Sequence, residues 1–249
     1  MRVAIVAALP GELKPLVRQW RRIETTVRGT RKWVLSDGED TWIAVCAGMG
    51  AEAARRAFAL AEADGPVDLV LSVGWVGSLH QGVRAGSVQV PTEVIDAQTG
   101  EEFSLTQGSR RLRLVTTSRV ADAREKIRLA STYQDAVVVD MEAATIARLA
   151  EIRKVPLLCI KGVSDAVGAD LPDLNPFINR MGQLRMVPFL LHVTVRPKYW
   201  PSLIHLGRNS ARTAEAMCRE CRRSPSQCCR GSPRRRKSSR PASRFRRFG

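Results

Sequence analysis

The sequence predicts an α/β fold: a single-domain, three-layer α/β/α sandwich with a mixed central sheet. Three observations predict it. Short β-rich apolar runs alternate with amphipathic stretches, glycine pairs follow several of the runs, and two acidic stretches about twenty residues apart each stand where a strand ends. The stretches are Val139-Asp140-Met141-Glu142-Ala143-Ala144 and Lys161-Gly162-Val163-Ser164-Asp165. Open α/β sheets bind ligands beyond the carboxyl ends of their strands, so Glu142 and Asp165 are expected to face one pocket.

The elements follow in chain order. Residues 2–8 read as a strand, and 12–20 as a helix with Leu13, Leu16 and Val17 on one face. A strand over 41–47 ends in Gly48-Met49-Gly50 and leads into a helix over 51–63; a strand over 67–73 ends in Gly74-Trp75-Val76-Gly77. Strands over 87–94 and 112–116 precede a helix over 121–130. Ala136-Val137-Val138-Val139 is a short buried strand, Glu142 opens an Ala-rich helix to Ile152, and 155–160 is the next strand. A helix over 200–216, with Leu203, Ile204 and Leu206 available to pack, closes the domain.

Composition bounds the rest. A chain of 249 residues with 44% apolar content can bury one sizeable core. The apolar start, Met1 to Ala8, is cut off by Pro10-Gly11-Glu12, too soon for a signal peptide, and no segment approaches the about 20 apolar residues of a membrane span. A cytoplasmic location is the default expectation. The formal net charge is +16, but residues 217–249 hold twelve Lys or Arg and one acid, a net of +11, which leaves +5 for the preceding 216. The chain therefore divides into a domain over 1–216 and a basic Arg/Ser/Cys-rich tail over 217–249. That tail lacks apolar periodicity and is expected to be disordered. As a nucleic-acid arm it would act by counterion release. As a zinc site, Cys218-x-x-Cys221 lacks a second well-spaced ligand pair, and as a redox pair it lacks a βαβ context. The abrupt change of composition is better read as a frameshift product or a dispensable extension.

Glycines after strands let backbone N–H groups approach an anion or a sugar, but taken alone are more often tight turns than sites. Neither Gly48-x-Gly50 nor Gly74-x-x-Gly77 is a dinucleotide fingerprint, and no phosphate loop is present. His80, His192 and His205 lack metal spacing, Gly-x-Ser-x-Gly does not occur, and Cys46 and Cys159 fall in predicted buried strands. No metal or cofactor is expected.

Taken in order, Glu12 in Ala8-Leu9-Pro10-Gly11-Glu12, Gly48-Met49-Gly50, Gly74-Trp75-Val76-Gly77, Asp140-Met141-Glu142-Ala143 and Val163-Ser164-Asp165 resemble the purine nucleoside phosphorylase and nucleosidase superfamily. They are most similar to its methylthioadenosine/S-adenosylhomocysteine nucleosidase branch, over roughly residues 1–190. The resemblance implies a nucleoside phosphorylase-like fold, a small-molecule nucleoside substrate, no cofactor and, by analogy, a homodimer. It also implies roles. Asp165 would be the general acid at the purine N7, with Ser164 beside it. Glu142 would bind the ribose hydroxyls, with Met141 on the sugar face and Gly50, Gly74 and Trp75 around the substrate. Glu12 would activate the attacking water. Breaking an N-glycosidic bond puts positive charge on ribose and negative charge on the departing base, so an acid near the base and an anchor on the sugar both help. Each residue also has a plainer role: an Asp after a strand commonly caps a helix, and a Glu at a helix start is favoured by the macrodipole.

The implied reaction is hydrolytic release of adenine from a nucleoside like 5′-methylthioadenosine or S-adenosylhomocysteine. Ser72 and Trp75 stand where phosphorylases of the superfamily carry an Arg and a Ser for phosphate, which favours water as nucleophile. Trp75 in place of Ser, Lys161 in place of Arg, and the absence of a stacking aromatic in 118–122 leave the 5′ substituent open. Phe177 is a candidate cover for the pocket. The alternatives are a phosphorylase, a nucleosidase for an adenosyl-linked hopanoid intermediate, and a non-enzymatic nucleic-acid-binding protein.

Overall fold

The computed structural model describes residues 1–105 and 111–231, with side chains to residue 223. In chain order the elements are β1 (Arg2–Ala7), α1 (Pro10–Leu13), β2 (Arg21–Ile23), β3 (Arg31–Asp37), β4 (Asp40–Cys46), α2 (Ala51–Glu62), β5 (Leu69–Ser78), β6 (Val88–Gln89), β7 (Glu93–Asp96), β8 (Glu102–Ser104), β9 (Arg113–Thr116), α3 (Ala123–Thr132), β10 (Ala136–Asp140), α4 (Ala143–Arg153), β11 (Leu157–Asp165), α5 (Met186–Thr194) and α6 (Trp200–Gly231).

One mixed sheet runs β2-β3-β4-β1-β5-β10-β9-β7-β8, with β11 and then β6 branching from β5. The long β5 makes this branch possible. Its first half lies between β1 and β11, both parallel to it, and its end pairs antiparallel with β10 while β11 continues alongside. Two apolar layers cover the sheet. Ala53, Ala54, Ala57 and Phe58 of α2 and Ala143, Ile146, Ala147 and Ala150 of α4 bury against one face. Leu13, Leu16, Val17, Met217 and Cys221 cover the opposite face over Ile5, Leu71 and Ile160. The three-layer mixed-sheet architecture is the one expected.

Several boundaries differ, each for a local reason. In place of the helix expected over 12–20 the structure has the four-residue α1, because Pro15 has no N–H with which to carry the helical ladder on; Leu16 and Val17 stay buried after it. The strand expected over 87–94 is broken at Pro91 into β6 and β7. Gly74-Trp75-Val76-Gly77 is not a turn: β5 continues through it, paired with Lys161 to Asp165 of β11 with a bulge at Ser164. Likewise β11 reaches Asp165 itself.

The boundary expected at residue 217 falls inside α6, which runs to Gly231. Ser210, Thr213, Ala214, Met217 and Cys221 recur at three- and four-residue spacing and are all buried against the sheet. Helical periodicity thus continues into the basic segment, and only its charge changes. Cys218 and Cys221, expected in a disordered tail, are free thiols on this helix, with Cys221 in the core. The Arg-rich run for which a nucleic-acid arm is the lesser reading lies within 232–249, outside the described residues. Ending the chain after Ala216 removes two fully buried side chains and should destabilise the fold by about 2–5 kcal/mol. Thermal melts of chains ending after Ala216 and after Arg223 test this; equal midpoints would restore a boundary at 217.

Candidate active site

β1, β10 and β11 all end beside β5, and their last residues or the loops after them carry the carboxylates. Glu12 sits on the turn of α1 just after β1, 4% exposed. Its Oε2 accepts from the N–H groups of Ala8 (2.9 Å) and Leu9 (2.7 Å), and its Oε1 from that of Trp75 (2.8 Å). Gly74 eases this approach, since a Cβ there would lie a tight 3.2 Å from Glu12 Oε1. Burial pushes the Glu12 carboxyl above its ordinary range, against the pull of the Leu9 and Trp75 amides and the Lys161 charge.

Glu142 stands at the N-cap of α4, and its Oε1 accepts from Gly50 N–H at 2.6 Å. Gly50 takes φ +88°, a left-handed value suited to glycine, and this aims its N–H across the loop from β4. Burial, then the neighbouring Asp140 charge, push the Glu142 carboxyl up to about 8, while Gly50 and Lys161 oppose the shift. Met141 is half-buried, and its Cε lies 3.8 Å from where a Gly50 Cβ would be.

Beneath them is a buried ion pair that the sequence reading did not assemble. Lys161 Nζ lies 2.8 Å from Asp140 Oδ2 and donates to Ser72 Oγ at 3.0 Å, with Lys161 only 2% exposed. Burial opposes the lysine's charge, but Asp140 outweighs it and holds the ammonium above its ordinary range. Asp140 also accepts from Thr116 Oγ1 (2.7 Å) and caps α4 through Ala143 N–H (3.1 Å).

Asp165 ends β11 opposite Gly77. Ser164 Oγ donates to Asp165 Oδ1 at 2.6 Å, and Lys126 Nζ of α3 contacts Asp165 Oδ2 and donates to the Ala166 carbonyl at 3.0 Å. Lys126 is 4% exposed and reaches across Gly77, where a Cβ would lie 2.8 Å from its Cε. Sequence reasoning missed it. Its signal was a lysine three residues before Leu129, the other buried residue of α3.

The structure therefore brings Glu12 and Glu142 within reach of one cation, Lys161. It places Asp165 farther along, three residues up β5 from Gly74, about 10 Å by strand rise. Trp75 contributes its backbone N–H; its indole packs on Gly11 and donates to the Ser210 carbonyl at 3.1 Å. Phe177 packs edge-on against Phe189 and His192, with centroids 5.6 and 5.0 Å away. A cavity of about 250 Å³ takes Gly50 and Met141 into its wall together with Thr117, Ser118 and Arg180. Glu12, Glu142 and Asp165 are not among its lining residues. Among the described residues, no group of three His, Cys, Asp or Glu side chains is placed to hold a metal ion.

Carboxylates gathered at the strand ends of a mixed α/β sheet stand where open α/β folds place their ligand sites. The chain belongs to the phosphorylase superfamily, whose family model matches residues 2–116 and 112–185. Among characterised proteins it is similar to the 5′-methylthioadenosine nucleosidase of Arabidopsis thaliana, 27% identical over 214 residues that cover 72% of this chain and 80% of that one. A shorter match, 44% identical over 50 residues, spans only 20% of this chain and 20% of the 5′-methylthioadenosine/S-adenosylhomocysteine nucleosidase of the same plant. In fold it resembles the Helicobacter pylori 5′-methylthioadenosine/S-adenosylhomocysteine nucleosidase (TM-score 0.66, 14% identity, 91% of this chain and 98% of that one). It resembles the H. pylori futalosine hydrolase equally (TM-score 0.67, 13% identity, 91% and 98%).

The Glu142 shift has a consequence for stability. Between its ordinary value of 4.5 and about 8 the folded chain keeps a proton that the unfolded chain has released. This residue's contribution is thus full below 4.5 and is lost as pH rises through about 8. Glu142→Gln should flatten the fall of the thermal midpoint across that window; an unchanged slope would contradict the assignment.

Proposed function

We propose that the protein is a hydrolase that cleaves the N-glycosidic bond of a 5′-substituted adenosine and releases adenine. The observation that carries this reading is the paired placement of Glu12 and Glu142 at one end of the glycine-bearing part of β5 and Asp165 at the other. A nucleoside laid along that strand would meet Glu142 with its ribose hydroxyls and Asp165 with its base.

Glu12 is the general base. Three backbone N–H groups fix its carboxylate, and burial raises its proton affinity, which suits it to take a proton from water. Glu142 accepts from the ribose hydroxyls and, once it has given up the proton that burial lets it keep, faces the cationic character that the sugar gains as the bond breaks with a negative charge. Met141 packs on the sugar. At the other end Asp165, in contact with Lys126 and held by Ser164, is the general acid that delivers a proton to N7 as negative charge develops on the leaving purine.

Water is favoured over phosphate by the state of the cations. Lys161 is bound to Asp140 and Ser72 and closed off from solvent, and Lys126 is bound to Asp165. Lys161 and Lys126 thus have carboxylate partners, whereas a phosphate dianion needs cationic donors of its own. The Trp75 indole, turned into the core, supplies none.

Incubation with 5′-methylthioadenosine, S-adenosylhomocysteine and adenosine, with and without phosphate, tests the reaction directly. Adenine release independent of phosphate is expected, and strictly phosphate-dependent release would overturn the hydrolytic reading. Glu12→Gln and Asp165→Asn should each lower turnover by about 10² to 10⁴-fold. Near-normal turnover in both would refute the roles.

A further inference from the structure

We propose that the face formed by α5 and the first turns of α6 docks onto an anionic lipid bilayer surface. α5 buries Phe189 and Val193 and turns Val187, Leu190, Leu191 and Val195 outward, with Leu191 67% and Val195 73% exposed. Trp200 and Ile204 extend the outward face onto α6, and the Trp200 indole donates to the Val193 carbonyl at 3.0 Å, which ties the two helices together there. Single exposed apolar residues are ordinary, but six on adjoining turns form a patch that calls for a partner.

The charge around the patch selects that partner. Between Asp173 and Glu215 the chain carries no acidic residue and six Arg or Lys. Arg185, Arg196, Lys198 and Arg208 are exposed around the apolar face, and Lys198 Nζ lies 4.6 Å from the centre of the Tyr199 ring. Apolar side chains rimmed by cations, with a Trp and a Tyr at the edge, match a helix that lies in the plane of a membrane. The apolar face enters the acyl boundary, the aromatics sit among the headgroups, and the cations meet anionic lipid. α5 is nine residues long, and no helix among the described residues is long and apolar enough to cross a membrane, so this is surface docking. A second copy is a poorer occupant. A twofold contact would set the same cations against themselves.

The test uses the full chain and sedimentation with phosphatidylcholine vesicles with and without phosphatidylglycerol. Binding is expected only to the anionic vesicles, and Leu190→Ser/Leu191→Ser should weaken it by more than about tenfold without lowering the thermal midpoint. Quenching of tryptophan fluorescence by brominated acyl chains should appear in the parent and be largely lost in Trp200→Phe. Three outcomes would overturn the proposal. They are absence of vesicle binding, binding equal in the Leu variant and abolished by salt, which would assign it to the basic C-terminal segment, and a dimer that the Leu variant dissociates.

Discussion

Lys161 Nζ, closed off from solvent beneath the strand ends, is the group on which the arrangement of the candidate site depends. It stands between Asp140 Oδ2 and Ser72 Oγ, on β11, β10 and β5 respectively, and so ties together the three strands that meet where the sheet branches. Burying an ammonium or a carboxylate alone is expensive, and the pair is tolerated because each partner is satisfied. Asp140 takes further hydrogen bonds from Thr116 and from the first turn of α4, which sets the position of Glu142 next in the chain but one. The same cation offsets the charges of Glu12 and Glu142, neither of which has a direct cationic partner among the hydrogen bonds described. A Glu142 carboxyl raised by burial and by Asp140, with Lys161 opposing the rise, is the electrostatic signature of this crowding.

The second constraint is steric. A strand that carries side chains on both faces could not let a carboxylate and a lysine cross it so closely. Gly74 leaves the space that Glu12 fills, and Gly77 leaves the space that Lys126 crosses on its way to Asp165. These glycines were legible in the sequence as special positions, but their use was not. Reading them as turns assumed that glycine after an apolar run ends a strand, whereas pairing with β11 on one side and β10 on the other carries the strand onward.

The same distinction separates what the sequence revealed from what it concealed. Alternation of apolar runs and amphipathic stretches was sufficient for the layer architecture, and the motifs at Asp140 to Ala143 and Val163 to Asp165 for the family. Contacts between residues distant in the chain were not legible, because periodicity says which face a residue is on and not what waits there. Lys161 was noticed only as a departure from a pattern, and its partner Asp140, one residue before the motif's methionine, went unassigned. Lys126, 39 residues before Asp165, carried no motif at all. At the C-terminus, composition masked periodicity: the change to Arg, Ser and Cys drew a boundary through a helix whose buried face continues to Cys221.

The central claim is that the buried Lys161 and Asp140 pair holds the strand ends in place, and urea denaturation of Lys161→Met and of Lys161→Met/Asp140→Asn tests it most directly. The single variant leaves Asp140 buried without its cation and should lose about 3–5 kcal/mol, and the double variant should recover part of that loss. A single variant as stable as the parent, or a double variant no more stable than the single, would contradict it.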